Sequence, residues 1–473
     1  MIVGREREID IIENAIRDSR SHFIAIYGRR RVGKTFLVRN VCADRFTFQH
    51  AGVSNEGLKE QLDAFASSAH VCGYSFDKTP TTWIQAFDGL KQLIIRSNEK
   101  KKIIFLDEIS WMDTPKSGFV AALENFWNAF VSARDDVILF ICASATSLML
   151  SKVIHNKGGL YHRLTVQIHL KPFVLAECEE YVQKHGFVHN KDQILQCYMI
   201  FGGVPYYWEL LRKGSSVEQN IDRLLFGKDA ELKDEFRYLY ASIFKNPEIY
   251  IGLVKALCKV KSGLTRDDII REAKVANSGE LSRHLEELES CGFIRSYSAI
   301  GMKKKNTVYQ LIDPFTLFYY SFLESTPTDE HFWVNQINTP KVNTWKGLAF
   351  ERICLMHIDQ VKKKLRIDGI LTEVHSWYCK PDKDKGIFGS QIDLLIKRAD
   401  RIINLCEMKY SGQEYIMTEK VRKDIQRKIH DLQEKAGTKY AIHPVFVSPY
   451  GLVENSYSDT IQAVVTLDDL FLR

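Results

Sequence analysis

The residues best suited to chemistry near the amino terminus form a glycine-bounded loop that ends in a lysine and a threonine. Gly28 and Gly33 are separated by four residues, Lys34 and Thr35 follow directly, and the apolar run 23–27 precedes the loop. Because glycine tolerates backbone conformations closed to other residues, successive N–H groups can turn inward onto a phosphate at the positive end of a helix. This G-x-x-x-x-G-K-T pattern, between a predicted strand and a predicted helix, indicates a site for ATP.

The residue types within this loop predict individual roles. Lys34 is expected to reach the β- and γ-phosphates, and the Thr35 hydroxyl is expected to bind Mg²⁺. The residues predicted to contact the nucleotide are Gly28, Arg29, Arg30, Arg31, Val32, Gly33, Lys34, Thr35 and Phe36.

An acidic pair, Asp107-Glu108, follows the apolar run 103–106. A continuous apolar run is typical of a strand buried on both faces, and open α/β sheets bind ligands at the carboxyl ends of their strands. Asp107 is expected to hold Mg²⁺ through water, and Glu108 to polarise the attacking water. The pair therefore predicts hydrolysis of the nucleotide and not only binding.

Three further residues are candidates for nucleotide contact, each with an ordinary structural alternative. Ser144 follows the apolar run 137–143 and could sense the γ-phosphate, or it could simply end a strand. Arg163 could read a phosphate in cis or across a subunit interface, or it could be solvated. Pro205 follows two glycines inside the mainly helical region 172–232, which suits either a lid over the nucleotide or a packed corner between helices.

Length and composition set the general class of the chain. At 473 residues it is too long for one core, and three or four domains are expected. The net charge of +6 permits nucleic-acid binding without arguing for it. The cysteines are scattered and form no C-x-x-C pair, the first residues are charged, and no apolar run approaches the length of a membrane span. A cytoplasmic protein without a membrane partner is the expectation.

Residues 247–312 predict three helices and a hairpin with a basic tip, which is the arrangement of a winged helix. Arg283, with Ser282 and His284 beside it, would face a DNA groove. The hairpin would place three lysines on the DNA phosphates: Lys303, Lys304 and Lys305. The presumed recognition helix also carries four glutamates, which disfavour approach to DNA. DNA contact and structural packing therefore both remain open.

A second set of chemically suited residues lies late in the chain. Glu351 belongs to an amphipathic helical segment, Asp393 begins an apolar strand, and Glu407 and Lys409 end the next strand. Strand alternation places Glu407 and Lys409 on one face, and Asp393 can lie beside them. Three carboxylates of this kind suit Mg²⁺, with Mn²⁺ possible, and Lys409 can orient or help deprotonate a metal-bound water. The alternative is a surface strand pair with ordinary charges.

The early residues resemble the STAND group of AAA+ type ATPases, which is common in archaea and some bacteria. The resemblance covers roughly residues 1–325. It is carried by Gly4-Arg5-Glu6, the loop 28–35, Phe105-Leu-Asp-Glu108, the strand ending at Ser144, and Gly202-Gly-Val-Pro205. Ala143-Ser144 stands where the family usually has Gly-Ser. The resemblance implies that Ser144 is the sensor, that Arg163 reads a phosphate, and that the protein is either a nucleotide-dependent switch or an assembling ATPase, the second of which would form a homo-oligomer.

The late residues resemble the core of PD-(D/E)XK nucleases. Carried over, the resemblance implies that Glu351, Asp393 and Glu407 are metal ligands and that Lys409 is catalytic. Gln391-Ile-Asp393 replaces the usual Pro-Asp of that motif. Related ATPases often carry a C-terminal region of unassigned function, so a domain that binds without cutting remains an alternative.

The predicted fold class is therefore α/β, with an AAA+-type P-loop parallel sheet and a C-terminal α/β nuclease-like domain. The predicted domains are a P-loop ATPase core at 1–171, a helical lid at 172–245, a winged helix at 246–325, a linker at 326–343 and the nuclease-like domain at 344–473. The predicted function is ATP hydrolysis coupled to metal-dependent cleavage of DNA. The alternative is a nucleotide-switched scaffold whose nuclease-like domain binds but does not cut.

Overall fold

The computed structural model describes residues 2–144, 149, 153, 163–244, 246–297, 307–325, 327–379, 381, 387–436 and 439–473. The chain forms two compact units. The first unit contains Met1–Pro172 with Ala241–Lys245, and the second contains Phe173–Tyr240 with Asn246–Arg473. Within the described part of the chain, no helix combines the length and the apolar character that crossing a bilayer would require.

A five-stranded parallel sheet organises the first unit. Its strands are β1 (His22–Tyr27), β2 (Phe46–Ala51), β3 (Lys102–Asp107), β4 (Val137–Ala143) and β5 (Val166–His169), and they lie in the order β2-β3-β4-β1-β5. The helices of this unit that the structure describes are Glu6–Arg17, Lys34–Cys42, Leu58–Val71, Trp83–Arg96, Ile109–Met112 and Phe119–Ala129. The predicted α/β class and the parallel sheet are confirmed.

The strands of this sheet are continuous apolar runs in the sequence, because helices cover both faces of the sheet. Along β1, Phe23 and Ala25 belong to one buried cluster, whereas Ile24 and Ile26 belong to the cluster on the opposite face. All seven residues of β4 are buried. A strand with an apolar layer on each side cannot show a polar alternation, so the run is continuous. Because β1, β3 and β4 are parallel, their carboxyl ends meet at one edge of the sheet.

The second unit contains two sheets. In one, β6 (Leu264–Thr265), β8 (Val308–Leu311) and β7 (Ile294–Tyr297) form an antiparallel sheet in the order β6-β8-β7. In the other, the order is β13-β12-β11-β10-β9, and its strands are β9 (Thr372–Cys379), β10 (Ser390–Arg398), β11 (Ile402–Met408), β12 (Ala441–Val447) and β13 (Ala463–Val465). Strands β9, β10 and β11 pair antiparallel, whereas β11, β12 and β13 pair parallel.

Helices make up most of the remainder of the second unit. The α-helices are Leu175–Lys184, Lys191–Phe201, Pro205–Glu209, Val217–Ile221, Pro247–Cys258, Arg266–Ala273, Gly279–Ser290, Pro314–Phe318, Phe332–Gln336, Pro340–Met356, Ile358–Lys364, Glu419–Ala436 and Leu467–Leu470, and the π-helices are Asp222–Phe226 and Tyr319–Leu323. The helix Glu235–Ile243 spans the boundary between the units.

The segment predicted to be a linker, 326–343, contains the short helix Phe332–Gln336 and the start of the helix Pro340–Met356. Trp333 is buried, and its backbone N–H donates to the Asp222 carboxylate at 2.7 Å. Apolar burial and a hydrogen bond to a charged group both restrain this segment. It is therefore packed into the second unit.

Candidate functional site

The loop after β1 has the backbone of a phosphate cradle. Gly28 has a φ of 148°, and a Cβ at this position would lie 2.3 Å from the carbonyl oxygen of Leu170. Gly33 has a φ of 92° directly before the helix Lys34–Cys42. Glycine is required at Gly28 both for its backbone angle and for the close approach of the neighbouring chain. The loop thus directs the amino end of a helix toward the edge where the sheet strands end.

The Lys34 side chain is buried and lies inside this loop. Its ammonium donates to the carbonyl oxygens of Gly28 and Arg29, both at 3.1 Å, and to the Ser144 hydroxyl at 2.9 Å. A buried ammonium needs acceptors to offset its lost hydration, and these three supply them. A triphosphate could replace the carbonyl contacts with more strongly charged oxygens.

Two oxygen groups suited to Mg²⁺ lie next to each other at the start of this helix. The Thr35 hydroxyl donates to Asp107 Oδ2 at 2.7 Å, and the backbone N–H of Glu108 donates to Asp107 Oδ1 at 3.0 Å. Burial, the largest effect, raises the pKa of Asp107. A hydroxyl and a carboxylate beside a phosphate cradle form the donor set that Mg²⁺ takes, so these residues fit the ion.

Glu108 is connected to the cradle through Ser144, at the end of β4. The Ser144 hydroxyl donates to Glu108 Oε1, and the Ser144 backbone N–H donates to Glu108 Oε2 at 3.1 Å. Strand β4 lies between β1 and β3, so Ser144, the residue that follows β4, is placed between the lysine and the glutamate. The structure therefore joins Lys34, Ser144 and Glu108 in one hydrogen-bonded chain. Glu108 itself has a φ of 48°, in the left-handed region.

The other residues predicted to contact the nucleotide lie in varied surroundings. Arg29 and Val32 are buried, Arg31 is half-buried, and Arg30 and Phe36 are exposed. Arg163 is exposed shortly before β5. Pro205 begins the helix Pro205–Glu209, in the second unit.

Gly52 is a site residue that the sequence reasoning missed. Its N–H donates to the Asp107 carbonyl at 3.0 Å, and a Cβ on Gly52 would lie 2.7 Å from the Glu108 carbonyl oxygen. The neighbouring strand end therefore supports the backbone of the acidic pair. A glycine that immediately follows a predicted strand, as Gly52 follows β2, was the signal available in the sequence.

The late acids lie in the second unit, with Glu351 on a helix, Asp393 within β10 rather than at its start, and Glu407 near the end of β11. Glu351 is on the helix Pro340–Met356, 6% exposed, and its Oε1 forms an ion pair with Lys261 at 2.7 Å. Burial, followed by the charge of Asp393, raises the pKa of Glu351. Asp393, on β10, accepts a hydrogen bond from Gln391 Nε2 at 2.8 Å. Glu351 and Asp393 therefore lie in one electrostatic environment.

Glu407, at the end of β11, is held by two lysines. Lys409 contacts its Oε1 and Lys428 contacts its Oε2, each at 2.7 Å. Lys428 also contacts Asp424 at 3.1 Å. Both oxygens of this buried carboxylate are therefore neutralised by the protein itself.

In this arrangement the late acids do not form a metal site. Across the residues for which the structure gives positions, no three His, Cys, Asp or Glu side chains lie close enough together to hold one metal ion. Glu351 and Glu407 each carry lysine partners at positions where a metal would bind. The acids fit a divalent cation by type but not in this geometry.

Of the residues predicted to contact DNA, the structure describes those on the helix Gly279–Ser290. Arg283 is exposed, but its guanidinium lies 3.8 Å from Glu280 and 3.7 Å from Glu287 of its own helix. His284 is buried against the Tyr250 ring, with ring centroids 4.8 Å apart, so it does not face a groove as predicted. Lys303, Lys304 and Lys305 lie outside the described residues.

One comparison with known proteins covers the part of the chain that contains the first site. Residues 2–211 match a family described as an ATPase domain predominantly from Archaea. This stretch contains the whole phosphate cradle, the acidic pair and Ser144. It does not reach the late acids.

The more extensive similarities are distant. The chain is 23% identical over 434 residues to the uncharacterized protein MJECL04 of Methanocaldococcus jannaschii, covering 90% of this chain and 92% of that protein. Among solved structures, the Walker-type ATPase paby2304 of Pyrococcus abyssi aligns with a TM-score of 0.47 and 17% identity, over 67% of this chain and 95% of that one. The Aeropyrum pernix ORC2 protein, in its ADPNP-ADP complexes, aligns with a TM-score of 0.41 and 15% identity, over 68% of this chain and 92% of that one.

Proposed function

We propose that the chain binds ATP and hydrolyses it at the edge where β1, β3 and β4 end, because residues 2–211, which contain this edge, match a family described as an ATPase domain predominantly from Archaea. The observation that supports this most strongly is the hydrogen-bonded chain from Lys34 through Ser144 to Glu108. It links the residue that would hold the γ-phosphate to the residue that would activate water.

The side chains divide the work as follows. Lys34 exchanges its two loop carbonyls for β- and γ-phosphate oxygens and stays in contact with Ser144. Thr35 and Asp107 would hold Mg²⁺, which supplies positive charge to the phosphates when bound. Glu108 orients the attacking water and accepts its proton, and Ser144 fixes the direction of that carboxylate.

Two substitutions test this proposal. Lys34→Ala should abolish ATP binding, whereas Glu108→Gln should bind ATP and lose phosphate release. Lys59→Ala is a suitable control, because Lys59 is an exposed lysine of the same unit. Fluorescent-nucleotide titration and a phosphate-release assay give the two readouts. Undiminished hydrolysis by Glu108→Gln would remove the proposed role of Glu108.

A second candidate function is metal-dependent cleavage of DNA by the C-terminal part of the second unit, under control of the nucleotide. It is favoured by the placement of Glu351 on a helix, Asp393 on β10, and Glu407 with Lys409 at the end of β11. The three-stranded sheet β6-β8-β7 with its helices would then be a winged helix, consistent with a DNA-directed protein. Homo-oligomer formation on ATP binding is part of the same proposal.

Incubation of plasmid DNA with the full chain, ATP, and Mg²⁺ or Mn²⁺ tests cleavage. Wild type should cut, Lys409→Ala should not, and Lys439→Ala, at another exposed lysine of the second unit, should behave as wild type. Equal background in all three would leave the nucleotide-switched scaffold, which predicts a change of oligomeric state between ATP and ADP without cleavage. Size-exclusion chromatography of Glu108→Gln in the two nucleotides measures that change.

A further inference from the structure

Lys261, from a different part of the second unit, forms an ion pair with Glu351, the first of the late acids. Lys261 lies in the turn between the helix Pro247–Cys258 and β6, 90 residues before Glu351 in the chain. Its ammonium contacts Glu351 Oε1 at 2.7 Å, while Glu351 Oε2 is buried without a hydrogen-bond partner among the described residues. A buried carboxylate with one unsatisfied oxygen is costly unless a cation offsets its charge. Lys261 therefore offsets the charge of this buried carboxylate.

The backbone of Lys261 is fixed from two sides. Its carbonyl oxygen accepts a hydrogen bond from Gln310 Nε2, on β8, at 2.7 Å, and another from Arg352 Nη2, on the helix that carries Glu351. Gln310 and Arg352 are both almost fully buried. Buried hydrogen bonds of this kind specify geometry, because breaking one leaves an unpaired polar group. The position of the turn is therefore set by β8 and by the helix Pro340–Met356.

A second contact connects the same two parts of the unit. Arg295, on β7, donates to the Ser376 hydroxyl at 2.7 Å and to the Asp393 carbonyl oxygen at 3.4 Å. Ser376 also donates to the Asp393 carbonyl oxygen. The sheet β6-β8-β7 thus contacts the backbone of the second late acid, and the turn before β6 contacts the side chain of the first.

We propose that the module formed by the helices Pro247–Cys258, Arg266–Ala273 and Gly279–Ser290 with β6, β7 and β8 is a cover that keeps the late acid site free of metal. Lys261 serves as an internal cation on Glu351, and a divalent ion can bind only when that ammonium leaves. This inference rests on the proposed metal-dependent site and concerns its regulation. It accounts for the lysine on Glu351, whereas Glu407 is held separately by Lys409 and Lys428.

Competition between the Lys261 ammonium and a divalent ion predicts how removal of the ammonium changes the affinity for metal. The ammonium and a divalent ion cannot occupy Glu351 together without strong repulsion, so removing the ammonium should favour the metal. The Lys261 side chain is 48% exposed, which means that solvent weakens its ion pair. We therefore expect removal of the charge to tighten metal binding by about tenfold rather than by several orders of magnitude.

Mn²⁺ binding to the full chain, measured by titration of the free-ion electron paramagnetic resonance signal, tests the proposal without relying on cleavage. The experiment is run with Thr35→Ala and Asp107→Ala in every variant, so that the nucleotide site does not contribute. Lys261→Met keeps the apolar stem and should bind Mn²⁺ about tenfold more tightly than the parent. Lys261→Arg keeps the charge, and Lys259→Ala changes an exposed lysine nearby, so both should bind as the parent does.

The outcomes of this titration distinguish failure of the proposed cover from failure of the proposed metal site. If the parent and Lys261→Met bind Mn²⁺ with equal affinity, and Glu351→Gln abolishes binding in both, the proposed cover is overturned and the metal site stands. Absence of Mn²⁺ binding in every variant would overturn both the site and its cover. Tighter binding by Lys261→Met that Glu351→Gln removes would support the proposal.

Discussion

The hydroxyl of Ser144 offers the sharpest test of how the first site works. Ser144→Ala removes one acceptor from the Lys34 ammonium and one donor to the Glu108 carboxylate, but it keeps the backbone N–H that also contacts Glu108. A hydrogen bond to a charged group contributes about 1.5–3 kcal/mol. If the bond to Glu108 matters mainly in the transition state, its loss lowers the rate of hydrolysis by roughly 10- to 100-fold.

ATP binding should respond differently from hydrolysis. Ser144 is one of three acceptors of the Lys34 ammonium, and in the proposed ATP-bound site that contact is kept, so its loss affects the states with and without ATP alike. The affinity for ATP should therefore not weaken. An unchanged or lower dissociation constant for ATP together with a slower turnover is the signature of a positioning residue.

The assay combines a phosphate-release measurement with a nucleotide titration on wild type, Ser144→Ala and Ser132→Ala. Ser132 is an exposed serine of the same unit whose hydroxyl donates only to the Asn128 carbonyl among the described residues, so it controls for loss of a serine hydroxyl. Turnover by Ser144→Ala at the wild-type rate would refute the view that β4 positions Glu108. A parallel loss of ATP affinity would show instead that Ser144 acts on binding.

Three further predictions concern the backbone and pH. Gly28→Ala should abolish ATP binding, because the new methyl group meets the Leu170 carbonyl oxygen at 2.3 Å, and nucleotide titration with circular dichroism would separate this from global unfolding. Gly203→Ala should destabilise the second unit strongly, because its Cβ would lie 1.8 Å from the Phe173 carbonyl oxygen, and the thermal unfolding midpoint measures the loss. Burial lowers the pKa of His357 to about 4, so the folded protein binds fewer protons than the unfolded chain between that value and the ordinary 6.5. Stability should therefore be fully present above pH 6.5 and fall by about 3 kcal/mol as pH drops toward 4. Urea titrations at pH 7 and 5 that gave equal stability, with no difference from His357→Gln, would contradict this reading.

The part of the molecule that local patterns predicted best is the parallel sheet of the first unit. Continuous apolar runs such as 103–106 and 137–143 predicted buried strands, and the strand–loop–helix context around Lys34 predicted a phosphate cradle. These signals are local, since each depends on residues adjacent in the chain. The contact of Ser144 with Glu108 was less accessible, because it depends on β4 lying between β1 and β3.

The surroundings of the late acids could not be predicted in the same way. The pattern placed Glu351, Asp393 and Glu407 on the correct kinds of element, but it contained no sign that Lys261 or Lys428 would neutralise them. A lysine in a turn 90 residues away looks like any solvated charge, and only tertiary packing brings it to the carboxylate. Likewise, the burial of Trp333 in the segment predicted to be a linker depends on partners that are distant in sequence.

The left-handed backbone of Glu108 has a consequence for how this protein could be stabilised. A side chain with a Cβ adopts that conformation at a cost of about 1 kcal/mol, whereas asparagine tolerates it more readily. Variants selected only for heat resistance should therefore drift toward asparagine or glycine at this position and lose hydrolysis as they become more robust. Thermal stability would then favour asparagine or glycine at this position, whereas hydrolysis requires the glutamate.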